Sequence, residues 1–142
     1  FYFAPRSPIL YTINQGNVPQ YQGGQNQIIY LVSTVQQVLL KKIPFVFTDG
    51  HAIISYSEFF NDPTDLKQID WGIMSSRIRK DTTEYPDRKR KRQAEFLAFK
   101  FFPFDSVLEV GVINDALQDQ VLKILEGNSA IIPVKVRREW YY

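Results

Sequence analysis

The sequence predicts a mixed α+β domain on three observations. Short runs rich in β-branched and aromatic residues recur along the chain, each bounded by turn-forming residues. One segment near the C-terminus carries a full set of helix signals, with Asn114 before it and Gly127 at its end. Strand-like runs outnumber helical ones. A chain of 142 residues suits one domain, because at that length folding buries roughly two thirds of the unfolded surface.

Taken in order, Phe1 to Phe3 reads as the end of a strand. Ser7 caps a short helix with Pro8 at its first position, Ile9, Leu10 and Ile13 on one face and Gly16 at its end. Arg6 falls in the bend just before that helix. Residues 17–27 are polar and glycine-containing, a loop, and Ile28 to Val32 is a buried-strand candidate. Ser33 with Gln36 makes a capping box for a helix that buries Val35, Val38 and Leu39 and ends at Lys41 and Lys42. Pro44 to Thr48 is a strand, closed by the turn dipeptide Asp49-Gly50, which presents His51. Residues 57–74 are irregular, with one or two short helices expected and Trp71 as a packing anchor. Gln93 to Phe102 is the most strand-like run, with Glu95 opening the face of Leu97, Phe99 and Phe101. Val107 to Ile113 is a strand, Asp115 to Glu126 a helix, and Ile131 to Val136 a last strand before an aromatic tail.

Composition removes several chemistries. Without cysteine there is no disulfide, thiol nucleophile or thiolate metal site, and the single histidine excludes a site that needs two imidazoles. The glycines form neither a phosphate-cradling loop nor a dinucleotide fingerprint. Apolar runs fall short of the roughly 20 residues a spanning helix needs, and nothing resembles a secretory signal, so an intracellular protein is expected. The net charge of +2 hides an asymmetry: residues 77–92 carry +5 and the rest of the chain −3. A positive field concentrated in one segment suits a polyanion, although charge runs also mark solvated loops.

Two side chains invite chemistry. Glu95 follows the basic run on an otherwise apolar face, where an acid needs a partner. Arg6 is a candidate for that partner, and a fork between them would serve structure or catalysis equally. His51 has the one side chain whose ordinary pKa lies near neutrality, and its place after a tight turn suits either proton transfer or simple solvation. A metal-dependent nuclease built on Asp49, Glu95 and Lys100 ranks last, because the lysine follows the acid at the wrong spacing.

The strings Phe1-Tyr2-Phe3-Ala4-Pro5-Arg6-Ser7-Pro8, Tyr21-Gln22-Gly23-Gly24-Gln25, Ile29-Tyr30-Leu31-Val32, Phe47-Thr48-Asp49-Gly50-His51, Ile69-Asp70-Trp71 and Pro86 to Leu97 resemble, in this order, the DarT family. That family comprises toxins of DarT/DarG toxin–antitoxin systems, which transfer ADP-ribose from NAD to a base in single-stranded DNA. The resemblance runs over nearly the whole chain and implies one ADP-ribosyltransferase-like domain over residues 1–142, with a central, mostly antiparallel split sheet and flanking helices. It implies that Glu95 is the catalytic acid, that Arg6 contacts NAD and takes part in catalysis, and that His51 stands near the start of a substrate-binding loop over residues 51–94. DNA contacts are implied for Tyr30, Leu31, Val32 and Ser33, and for Lys80, Asp81, Thr82, Lys89, Arg90, Lys91 and Arg92.

These assignments make physical sense. Expelling nicotinamide leaves positive charge on the ribose, which an ionised carboxylate stabilises more in the transition state than before it. A guanidinium is a poor base, so Arg6 is expected to orient and to act electrostatically, with His51 as a proton route. The acceptor, thymine by the family's pattern or else guanine, must be unstacked, which a single strand allows cheaply. The resemblance further implies NAD as co-substrate, no metal, a DarG antitoxin with macrodomain hydrolase activity as partner, a monomer, and a bacterial cytoplasmic location. The family also carries a segment before the Phe-Tyr-Phe strand that holds much of the NAD. Its absence leads to the expectation that this chain is a truncated form, weak in NAD binding and inactive. The competing reading is a noncatalytic single-stranded nucleic-acid binding module in which Glu95 and Arg6 are a structural pair.

Overall fold

The computed structural model describes residues 1–78 and 80–142. Arg79, one member of the basic segment, lies outside the described residues. The chain divides into two compact units, Phe1–Ser7 with Lys42–Phe102 and Pro8–Lys41 with Pro103–Tyr142. Each has a three-stranded sheet, so the predicted mixed α+β class and split sheet hold. Three of the strand pairings are antiparallel and one is parallel.

In the second unit β1 (Tyr30–Val32) pairs antiparallel with β5 (Glu109–Val112), which pairs parallel with β6 (Val134–Val136). Helix α5 (Asp115–Gly127) starts where the Asn114 side chain accepts the Leu117 N–H at 2.9 Å. Its Leu117, Val121 and Leu125 recur every fourth residue and pack with Val110, Val112 and Val134 to form the core. The unit also holds α1 (Pro8–Asn14) and α2 (Val35–Leu40).

Two sequence expectations shift here. Thr34, not Ser33, caps α2 by accepting from Gln37 N–H, because the helix starts at Val35, while the Ser33 hydroxyl donates to Ser106 O at 2.6 Å. Only Val38 of α2 is buried, whereas Leu39 is 43% exposed. The last strand begins at Val134 and leaves Ile131 in solvent. Tyr30, a DNA contact by the resemblance, is held in an aromatic cluster: its hydroxyl donates to Trp140 O at 2.8 Å and its ring meets Trp140 and Tyr141 edge-on.

In the first unit β2 (Phe45–Thr48) is central, with β3 (Phe59–Phe60) and β4 (Phe96–Ala98) antiparallel on its two sides. Fully buried Phe47 stacks on Phe60 and Phe96, and Phe3 meets Phe47 and Phe96 edge-on. Such aromatic contacts add to the burial of the rings themselves. The strand expected over Gln93 to Phe102 is reduced to β4 over Phe96–Ala98 with one isolated bridge at Glu95, and Lys100 takes a left-handed φ of 59° that ends extended chain. Its faces also differ from expectation: Ala94 and Phe96 point into the core, while Leu97, Phe99 and Phe101 are exposed. Trp71, at the start of α3 (Trp71–Ser75), is half-exposed, although its ring meets Phe3 edge-on. The stretch 51–94 is no plain loop; it contains β3, a 3-10 turn over Pro63–Gln68, α3 and α4 (Arg88–Lys91).

Candidate active site

Thr48, the last residue of β2, is fully buried and binds both neighbours of interest. Its N–H donates to Glu95 O at 2.9 Å, its hydroxyl accepts from Glu95 N–H at 3.0 Å, and the same hydroxyl donates to Gly50 O at 2.6 Å. The backbone of Glu95 is thereby fixed to the end of the central strand. On its other side Glu95 pairs with Tyr2 in an isolated antiparallel bridge, flanked by the backbone bonds between Phe1 and Phe96.

The Glu95 carboxylate lies on the outward face of this arrangement, with 18% of the side chain exposed. Its Oε1 is 3.5 Å from His51 Nδ1, and the imidazole is 35% exposed. Tyr2 stands beside the same carboxylate. Burial, then the negative charge of Glu95, then a hydrogen bond to that carboxylate push the Tyr2 phenol above its ordinary pKa. Sequence reading found Glu95 and His51 but missed Tyr2. The one signal for Tyr2 was the expected strand end at Phe1 to Phe3, which could have been paired with the strand bearing Glu95.

The basic segment is the main surprise. Arg88 and Arg92 are buried, and the Arg90 side chain is 9% exposed. Arg88 Nη1 donates to Ser76 Oγ at 2.8 Å, and Arg92 donates to the carbonyls of Ile73, Met74 and Pro5. Arg90 is gripped by Asp49 and Asp87. Lys91 is paired with Asp70 at 3.2 Å. Along α4 and its C-cap, Arg88, Arg90 and Arg92 are engaged by a hydroxyl, two carboxylates and backbone carbonyls, while Lys89 faces solvent. Of the residues Lys89 to Arg92, for which DNA contacts were expected, Lys89 is exposed, Arg90 and Arg92 are turned inward and Lys91 is in an ion pair. Lys80 is also exposed, and Asp81 accepts the Lys89 N–H at 2.8 Å. Thr82 closes a turn with Tyr85.

Arg92 has a second consequence. By holding Pro5 O it anchors the backbone just before Arg6, which sits at a left-handed φ of 58°. A non-glycine residue there is uncommon and is held in place by its surroundings. Asp49, offered as a metal ligand in the nuclease reading, binds Arg90 with both oxygens and also accepts the Glu58 N–H. Among the described residues no group of three His, Cys, Asp or Glu converges on a metal-sized site. His51 also lines an open cleft of about 380 Å³, together with Tyr56, Lys89, Arg90 and Gln93.

The family model described as "ssDNA thymidine ADP-ribosyltransferase, DarT" matches residues 1–142. Two curated relatives, the DNA ADP-ribosyl transferases of Thermus sp. (strain 2.9) and Thermus aquaticus, are 42% and 44% identical over the whole chain. The chain spans 67% and 62% of their lengths. Solved structures of Thermus sp. 2.9 DarT in complex with NAD+ and with ADP-ribosylated ssDNA superpose with TM-scores of 0.92 and 0.93. Each covers all of this chain, at 42% identity, and this chain covers 71% and 67% of those chains. A more distant structure, Thermosipho africanus DarTG in complex with ADP-ribose, shares the fold at a TM-score of 0.72 and 20% identity. With a carboxylate flanked by an imidazole and a phenol at the end of its central strand, and a match from first residue to last, the chain belongs to the DarT family of ADP-ribosyltransferases.

Proposed function

We propose that this chain is the part of an NAD-dependent transferase that places ADP-ribose on thymine in single-stranded DNA, with Glu95 as the catalytic acid, Arg6 as a second catalytic residue and His51 assisting. The observation that carries the reading is the Glu95 carboxylate, fixed by its backbone to Thr48 and partly exposed beside His51. The donor set fits a ribose, because a carboxylate accepts from sugar hydroxyls while an imidazole and a phenol can each give or accept a proton. NAD supplies the ADP-ribosyl group and a neutral leaving ring when bound. Glu95 contributes negative charge where positive charge develops, and Thr48 keeps that charge from moving away. His51 Nδ1, within reach of the carboxylate, provides a place to hold the proton that the acceptor base must lose. Arg6 sits on a bend anchored by Arg92 and acts by orientation and charge toward the phosphates of the co-substrate.

For the DNA, support comes from the relative bound to ADP-ribosylated ssDNA and from the exposed Lys80 and Lys89. Leu31, Val32 and Ser33 are further contacts on the family's pattern, with Leu31 46% exposed. An enzyme consuming NAD and DNA works in the bacterial cytoplasm, and a toxin of this kind requires its cognate DarG antitoxin. The noncatalytic binding module loses its chief support, since the cationic run meant to bind the polyanion is mostly committed inside the protein. The test is mass spectrometry of a short single-stranded oligonucleotide after incubation with NAD and the full-length protein. One added ADP-ribose on thymine is expected, and Glu95→Gln should lower transfer by at least about 10²-fold while leaving strand binding in place. Binding without any transfer would favour the module instead.

A further inference from the structure

The five N–H donors of Arg90 are all engaged. Nη1 and Nη2 donate to Asp49 at 2.9 and 3.0 Å, Nε and Nη2 donate to Asp87 at 2.9 and 2.7 Å, and Nη1 also reaches Ser57 Oγ at 3.1 Å. Tyr56 covers the guanidinium from 5.0 Å. Gly50 lies so close that a Cβ there would meet Nη1 at 2.2 Å and Cγ at 2.9 Å. Two carboxylates and a planar fork make a rigid clamp, and a lysine cannot reproduce it.

What the clamp holds is His51. The His51 N–H donates to the Arg90 carbonyl at 3.1 Å. The His51 carbonyl accepts from Ser57 Oγ at 2.7 Å, and that hydroxyl is the one Arg90 Nη1 binds. Both backbone groups of the histidine therefore lead back to one arginine. The imidazole so held has its Nδ1 3.5 Å from Glu95.

We propose that Arg90 is a positioning residue that sets His51 against Glu95 and takes no part in holding the DNA backbone. The inference rests on the reading of Glu95 and His51 given above. It separates Arg90 from Lys89, its neighbour in the same cationic string, which faces solvent.

Arg90→Lys distinguishes the roles, because a phosphate contact tolerates a lysine whereas the double fork does not. In the full-length protein, kcat for transfer to an oligonucleotide should fall about tenfold to a hundredfold, as expected for a displaced reacting group. KM for the oligonucleotide and the salt dependence of its binding should stay as in the wild type. His51 is the single histidine of this stretch; in the full-length protein its ring signals in a long-range ¹⁵N–¹H spectrum are assigned by their loss in His51→Gln, and they should move toward those of a solvated imidazole. Ser57→Ala, which cuts only the hydroxyl link, should move the same signals in the same direction and carries the test if Arg90→Lys fails to fold. The proposal is overturned if Arg90→Lys retains its kcat, or if Arg90→Gln, which removes the charge, lowers the salt slope of DNA binding by about one, the mark of a lost phosphate contact. Imidazole signals unmoved in both Arg90→Lys and Ser57→Ala would overturn it equally. Absence of transfer by the wild-type protein would instead sink the functional reading, and the ring signals would still decide whether the clamp holds His51.

Discussion

Thr48 has no chemistry of its own in this site, yet the reading of Glu95 depends on it. Its hydroxyl satisfies the Glu95 N–H and the Gly50 carbonyl at a position with no solvent access. Thr48→Val keeps the shape and leaves two buried polar groups unpaired, so a loss of about 2–4 kcal/mol is expected by urea unfolding. Gly50→Ala attacks the same corner from the other direction. The new methyl has to displace an arginine pinned by two carboxylates, and overpacking of that kind costs about 1–3 kcal/mol. Unchanged unfolding midpoints in both variants would show that this corner is looser than its hydrogen bonds indicate. At this scale the sequence was legible where a residue type was scarce. A lone histidine after a turn and a lone acid on an apolar stretch stand out, and both reach the site. Tyr2 did not stand out among eight tyrosines, because its relevance comes from a bridge across ninety-odd residues that no local pattern encodes. Nor did the inward turn of Arg90 and Arg92, since a basic string reads the same whether its partners are phosphates or buried carbonyls.

Elements with complete local signals formed as read. Helix α5 has its capping asparagine and its apolar repeat, and it spans Asp115–Gly127, running through the glycine expected to stop it to a cap at Asn128 and a left-handed Ser129. Asn114→Ala removes the oxygen that accepts the Leu117 N–H, and about 1 kcal/mol of stability should go with it, measured by thermal or urea unfolding. A loss of zero would mean that water caps the helix equally well. Strands were harder, because their length is set by partners and not by their own residues. The apolar run from Gln93 to Phe102 has strand composition throughout, but β2 offers pairing partners only over Phe45–Phe47, and the chain leaves the sheet at the left-handed Lys100. The short segments between His51 and Trp71 carry no dominant period, so β3 and the 3-10 turn were unreadable from pattern alone.

Across the whole molecule, charge placement is the property that the sequence stated most plainly and located least well. The positive excess of residues 77–92, with Asp87 already counted in it, is further offset within the first unit by Asp49 on Arg90 and Asp70 on Lys91. On the proposed function, salt-sensitive DNA binding is expected to rest on fewer cations than the string suggests, and the exposed Lys80 and Lys89 are the ones to replace when measuring its slope. The same interior pairing makes the protein sensitive to acid. In the second unit, hydrogen bonds from Arg137, joined by Lys135, outweigh desolvation and hold Glu109 down to a pKa of about 2, against an ordinary 4.5. In the first unit burial opposes ionisation of Asp49, yet hydrogen bonds from Arg90 and the Glu58 N–H bring its pKa below the ordinary carboxylate value. A carboxyl depressed in the folded state stabilises fully above its unfolded pKa and stops doing so as pH falls through the folded one. For Glu109 the window runs from 4.5 down to about 2, so unfolding midpoints in urea should drop progressively across it. Glu109→Gln should be less stable than the wild type near neutrality and should lose less on acidification, so that the two curves converge toward pH 2. Parallel curves would mean that the Glu109 network contributes nothing that titrates, and that acid sensitivity resides in the carboxylates around Arg90.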